Sequence, residues 1–305
     1  MGGKGEAARA AAHGLGPHFA GHRGRAPPPR GTRARGTRSS AAYPHPRSRR
    51  LKTGQTSRRG GSALSSASIK AVLFDLDDTL VVLDMDAFSA AYFQSLAARI
   101  APLCPPEEFV PALQAGTQAM MSPDGSDPTN AATFERVFFS LVKRDPAPLR
   151  AAFDAFYRED FPRLARYSQA DPVAGRLISL LKGRGYQLAL ATQPLLPKIA
   201  IVERLRWAAV DPAHFDLIAC YEEMRSSKPH PVFFQQILER LGRAPAECLM
   251  VGDSPSTDLP AKRLGIKTFW VNRGRGEAPT EDPPDAQGTL QDLLMLVERG
   301  GLDDL

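Results

Sequence analysis

The sequence predicts a three-layer α/β core built on a central parallel sheet. An all-helical cap is inserted after the first strand, and a disordered basic tail precedes the whole. Three observations predict this architecture. A short continuous apolar run, Ala71 to Phe74, leads straight into Asp75, Asp77 and Asp78, the pattern of a strand buried on both faces. From Asp171 onward helix-like and strand-like segments alternate, as they do in units that build a parallel sheet. Between the two, Met85 to about Arg166 has helical periodicity and almost no strand-like alternation.

In chain order, residues 1–68 are rich in Gly, Ala, Arg, Ser and Pro, with few large apolar side chains. Such a segment cannot bury enough surface to offset the entropy of ordering, so disorder is expected. Its charge is extreme. Residues 1–69 hold 14 Lys and Arg against the single acid Glu6, a net +13 in a chain whose total is +6, so the remainder carries −7. The sequence pI of about 9.4 therefore belongs to the tail, and the folded part carries no nucleic-acid footprint. An organellar transit peptide, weak anion binding through Arg47 to Arg50, and a dispensable extension all fit the tail. Its Gly and Pro content argues against an amphipathic targeting helix and favours the third reading.

At 305 residues the chain suffices for a main domain plus a smaller one. Residues 69–84 and 168–300 are assigned to the α/β core and 85–167 to the cap. In the cap, Phe88, Tyr92, Leu96 and Ile100 recur at four-residue spacing on one face. Pro102, Pro105-Pro106, the Ser122–Asn130 loop and Pro146/Pro148 divide the segment into four or five helices. The cap aromatics are expected to form its own core. Further strands are expected at Tyr186–Ala191, Phe215–Cys220, Glu247–Val251 and Lys267–Val271. Helices are expected at Pro172–Lys182, Pro197–Trp207, Pro231–Leu241, Leu259–Leu264 and Thr289–Glu298. No stretch approaches the roughly 18 apolar residues of a membrane span. Cys104, Cys220 and Cys248 are far apart in apolar surroundings, which suits reduced thiols in a cytoplasmic setting and no cysteine metal site.

Ligands of open α/β sheets bind outside the carboxyl ends of the strands, where Asp75, Asp77, Thr192 and Asp253 all fall. A polar turn with helix-capping residues is the plain alternative at Asp75 to Thr79. Against it stand Leu76 between two acids and the resumption of apolar residues at Leu80. In order, the polar stretches read Asp-Leu-Asp-Asp-Thr from Asp75, Ala-Thr-Gln from Ala191, Ser-Lys-Pro from Ser227 and Gly-Asp-Ser-Pro-Ser-Thr-Asp from Gly252.

This ordered set resembles the haloacid dehalogenase superfamily, in particular its phosphatase-type members with a helical cap between the first and second motifs, the phosphoglycolate phosphatase-like branch. The resemblance covers residues 69 to about 275 and implies a Rossmann-like core. It implies hydrolysis of a small-molecule phosphate monoester, with Asp75 as nucleophile and Asp77 as general acid and base. It places Mg²⁺ on the carboxylates of Asp75 and Asp253 and the backbone carbonyl of Asp77, a sparse set that suits magnesium. Thr192 and Lys228 would bind the phosphoryl group, Gln193 would offer its backbone N–H, and Asp258 would orient Lys228 or a metal-bound water. An acid at position 77 favours phosphoester hydrolysis over dehalogenation, since a halide leaves without a proton. A phosphomutase and a catalytically idle scaffold are the competing functions, and monomer and homodimer are both compatible. Pro194, with no N–H, departs from the usual second motif, and His230 reads as a loop residue.

Overall fold

In a computed structural model of the protein, residues 68–121, 128–274 and 276–305 are described. The tail assigned to residues 1–68 lies outside them except for Ser68, as does 122–127 of the expected Ser122–Asn130 loop.

β1 (Ala71–Phe74) is fully buried because the sheet is covered on both sides. Ala71 and Leu73 join an apolar cluster with Phe233, Phe234 and Ile237 of α7 (Pro231–Leu241). Val72 and Phe74 face the opposite layer, with Leu177 and Ile178 of α5 (Ala174–Gly183) and Leu293 and Leu294 of α8 (Leu290–Glu298). Apolar side chains at consecutive positions of one strand therefore serve two cores, the packing expected of a central parallel strand.

The remaining strands of this sheet are β4 (Gln187–Leu190), β5 (Leu217–Ile218), β6 (Cys248–Gly252), β7 (Lys267–Val271) and β8 (Ala286–Gly288). Their order is β5-β4-β1-β6-β7-β8, and every neighbouring pair is parallel. Phe74 lies opposite Leu190 on one side and Val251 on the other. The chain runs from β1 outward through β4 and β5, then returns to β6 on the far side. That reversal opens a crevice at the carboxyl end of β1.

β2 (Val81–Leu83) and β3 (Ser168–Ala170) pair antiparallel as a separate two-stranded sheet. The stretch between them contains α1 (Met85–Ile100), α2 (Pro106–Met120), α3 (Asn130–Val142) and α4 (Pro146–Ala155). A π-helical turn at Phe156–Asp160 and a 3₁₀ run at Phe161–Tyr167 complete it. Asp84 caps α1 by accepting from the N–H of Ala87, and Thr129 caps α3 by accepting from that of Ala132. Phe109, Phe138 and Phe156 are buried among other rings. They do not form an isolated core: the same apolar cluster continues into one face of the large sheet.

The expected strand Phe215–Cys220 shrinks to Leu217–Ile218, since a 3₁₀ turn at Pro212–His214 delays its start at the sheet edge. The helix expected at Leu259–Leu264 is 3₁₀. All three cysteines are free and buried. Among the described residues no helix is long and apolar enough to cross a membrane.

Candidate active site

Strand pairing sets the site along one edge of the sheet. The Ala191 N–H donates to Phe74 O at 2.7 Å and the Asp75 N–H donates to Val251 O at 2.9 Å. Thr192, just past β4, thus flanks Asp75 on one side and Asp253, just past β6, flanks it on the other. All three side chains are buried.

Lys228 arrives from the loop before α7 and is only 3% exposed. Its Nζ lies 2.7 Å from Asp75 Oδ1 and 2.6 Å from Asp258 Oδ1. Burial alone would lower the affinity of this amine for its proton, but the carboxylates of Asp258 and Asp75 outweigh it and hold its pKa above the ordinary lysine value. Asp258 is fully buried, and desolvation pushes its carboxyl up to about 6 against the pull of Lys228. Its second oxygen accepts from the N–H of Ser254 at 3.0 Å. That carboxylate presses against the β6 terminus, where a Cβ on Gly252 would sit 2.2 Å from Asp258 Oδ2. Glycine is required there by close approach.

Carboxylate oxygens of Asp75, Asp253 and Asp258 lie within 4.8 Å of one another. The Thr79 hydroxyl spans two of them, 3.2 Å from Asp75 Oδ2 and 3.4 Å from Asp253 Oδ1. Among the described residues, Lys228 answers two of these carboxylates, Asp75 and Asp258, and carboxylates buried so close together are costly without cations. Buried carboxylate oxygens this close together suit a hard divalent ion.

The Asp77 carboxylate stands apart from this cluster. Asp258 supplies the third carboxylate of that group. Asp77 pairs instead with the guanidinium of Arg204, on α6 (Lys198–Trp207). Burial lowers the pKa of Arg204 to about 10 against the pull of Asp75, so it stays cationic at neutral pH and offers Asp77 a counter-charge beside the cluster.

Gln193 contributes its side chain. Its Nε2 donates to Lys228 O at 3.0 Å, and its Oε1 accepts from the N–H of Lys228 at 3.1 Å. The loops after β4 and before α7 are thereby tied together. Asn130 at the start of α3 reinforces the tie, donating from Nδ2 to Pro194 O at 3.1 Å and Ser226 O at 3.4 Å. Thr192 is not a helix cap, for α6 starts at Lys198 after Pro197. His230 precedes α7 and is half-buried. Arg204, Thr79 and Asn130 were not among the residues expected from sequence. Thr79 alone left a trace, four residues after Asp75 in a tight turn.

A family model described as haloacid dehalogenase-like hydrolase matches residues 69–263. The chain belongs to this family. It is 32% identical over 255 residues to a phosphoserine phosphatase of Thermus thermophilus, an alignment covering 74% of this chain and 98% of that one. It is 27% identical over 252 residues to a phosphoglycolate phosphatase of Escherichia coli O157:H7, covering 74% and 91% respectively. Among solved structures, a 2-haloacid dehalogenase from Pseudomonas syringae pv. Tomato superposes with a TM-score of 0.53 at 22% identity, covering 76% of this chain and 99% of that one. That similarity is one of fold. The chain is accordingly a hydrolase on a Rossmann-like core, and its buried acidic group can hold a metal ion.

Proposed function

We propose that the protein is a Mg²⁺-dependent phosphatase that hydrolyses a small-molecule phosphate monoester through an aspartyl-phosphate on Asp75. The observation that carries this reading is the buried Lys228 ammonium 2.7 Å from Asp75. A lysine so placed offsets the charge of a carboxylate nucleophile and of an incoming phosphoryl group together. The relatives named as phosphatases support the same chemistry.

In this reading the substrate phosphoryl group rests between Asp75, the Thr192 hydroxyl and Lys228, with the Gln193 N–H beside it. The carboxylates of Asp75 and Asp253 and the backbone carbonyl of Asp77 would hold Mg²⁺, which when bound neutralises phosphoryl charge and aligns the oxygens. Asp75 attacks phosphorus, and the bond to the ester oxygen breaks as Asp77 delivers a proton to that oxygen. Asp77 then takes a proton from water, whose oxygen attacks phosphorus and frees Asp75 with release of phosphate. Acid and base assistance of this kind contributes about 10²–10⁴-fold. Residues 69–84 and 168–300 act as the core, and 85–167 close over the site as a cap that excludes bulk water.

Phosphate release from a panel of phosphorylated metabolites, with Mg²⁺ and with chelator, tests the proposal. Turnover that needs Mg²⁺ and disappears in Asp75→Asn is expected. An Asp75→Asn variant with undiminished activity would refute the mechanism, and transfer of the phosphoryl group within the substrate without release would point to a mutase.

A further inference from the structure

Arg204 is 5% exposed, although it lies on a helix whose next arginine, Arg206, is exposed. Its guanidinium contacts the Asp77 carboxylate and lies 5.8 Å from the centre of the Phe88 ring of α1. Nε donates to no partner among the described residues. One turn further along α6, Trp207 stacks on Phe161 at 5.2 Å and meets Phe88 edge-on at 6.2 Å. The guanidinium is thus wedged between an acid at the carboxyl edge of the sheet and the aromatic cluster of the inserted helices.

Burying an arginine is costly, and it persists where a specific anion answers it. The anion here is the second acid of the Asp75–Asp77 pair, and the consequence is spatial. Asp75 and Asp258 already share Lys228, and Asp253 lies in the same small volume. A fourth carboxylate free to turn inward would compete for Lys228 and repel the others. We propose that Arg204 is the positioning residue of Asp77. It keeps that carboxylate out of the acidic cluster and facing the substrate's leaving group, with Phe88, itself backed by Trp207, bracing the guanidinium.

The inference rests on the phosphatase reading given above, and its test separates the two. Wild-type turnover of an aryl and an alkyl phosphate monoester addresses the phosphatase reading. The ratio of the two rates addresses Arg204. An aryl oxide leaves with little help, whereas an alkoxide needs its proton, so loss of a well-placed acid falls on the alkyl ester. In Arg204→Met the alkyl ester is expected to lose at least about tenfold more kcat/KM than the aryl ester, as in Asp77→Asn. KM for the aryl ester stays within about threefold of wild type, and Arg204→Lys restores part of the ratio. Adding Arg204→Met to Asp77→Asn brings no further loss, because the two act through one group. A crystal structure of Arg204→Met is expected to show the Asp77 carboxylate displaced, and one of Arg204→Lys a smaller displacement of the same group. Equal losses on both esters, additive losses in the double variant, or an unmoved Asp77 would each overturn the assignment. If Arg204→Met does not fold, the ester ratio and the crystal structure of Arg204→Lys decide by the same criteria.

Discussion

The carboxamide of Gln193 and the backbone of Lys228 are joined by two reciprocal hydrogen bonds, of 3.0 and 3.1 Å. Sequence alone suggested only a backbone N–H at Gln193 for the phosphoryl group. The side chain fixes where the lysine loop stands, and catalytic geometry is sensitive to shifts of about 1 Å. Gln193→Ala is therefore expected to lower kcat/KM by about 10–100-fold, while stability drops by only about 1–2 kcal/mol for two lost hydrogen bonds. Steady-state kinetics and chemical denaturation on the same preparation check this. Unchanged kcat/KM would show that the loop holds Lys228 without Gln193.

Gly252 carries a steric prediction. An added Cβ would meet Asp258 at 2.2 Å, and Asp258 is fixed by Lys228 on one oxygen and Ser254 on the other. Gly252→Ala is expected to cost about 1–3 kcal/mol, the usual range for overpacking, and to reduce activity below the unfolding transition because Lys228 shifts with its partner. Thermal denaturation followed by assays well below the midpoint separates the two effects.

Metal binding has its own readout, free of turnover. A ligand bound only by the folded state stabilises it by about 2.7 kcal/mol at a hundred times its Kd. Mg²⁺ is expected to raise the melting temperature of the wild-type protein and to leave that of Asp253→Asn nearly unchanged. An equal rise in both would remove Asp253 from the metal site.

The strand-end acids were legible because a buried apolar strand that runs into carboxylates leaves few physical options. That the sheet around them is parallel followed from alternation, whereas the order of β1, β4 and β6 is a fact of the structure. Other features carry no such mark. β8 is three residues, Ala286–Gly288, too short to show a period, and it pairs with the edge of β7. The pairing of β2 with β3 joins segments more than eighty residues apart, and neither is long enough to show a period. Arg204 reads like any basic residue on a surface helix, since its burial depends on Phe88 and Asp77 arriving from elsewhere. The aromatics between Phe88 and Tyr157 were recognisable as core, but their continuity with the sheet's own core is a tertiary fact.

One pair within that core bears on pH. The hydroxyls of Tyr92 and Tyr157 lie 2.8 Å apart and buried. Burial pushes Tyr92 from 10.0 up to about 12 and raises Tyr157 as well. A group whose pKa is raised by folding keeps its proton longer in the folded chain, so its stabilising contribution is lost as pH climbs through that interval. Stability is expected to fall between pH 10 and about 12. The slope should be shallower in Tyr92→Phe with Tyr157→Phe. Denaturant titrations across that range measure it, and an identical slope in the double variant would contradict the assignment.

The central claim is that Asp75 carries the phosphoryl group between two half-reactions. Acid quenching of the protein during turnover, followed by mass analysis of the peptide containing Asp75, tests this most directly. The account predicts one phosphoryl adduct on Asp75 that hydroxylamine removes and that Asp75→Asn lacks. An adduct on another residue, or full turnover by Asp75→Asn, would contradict it.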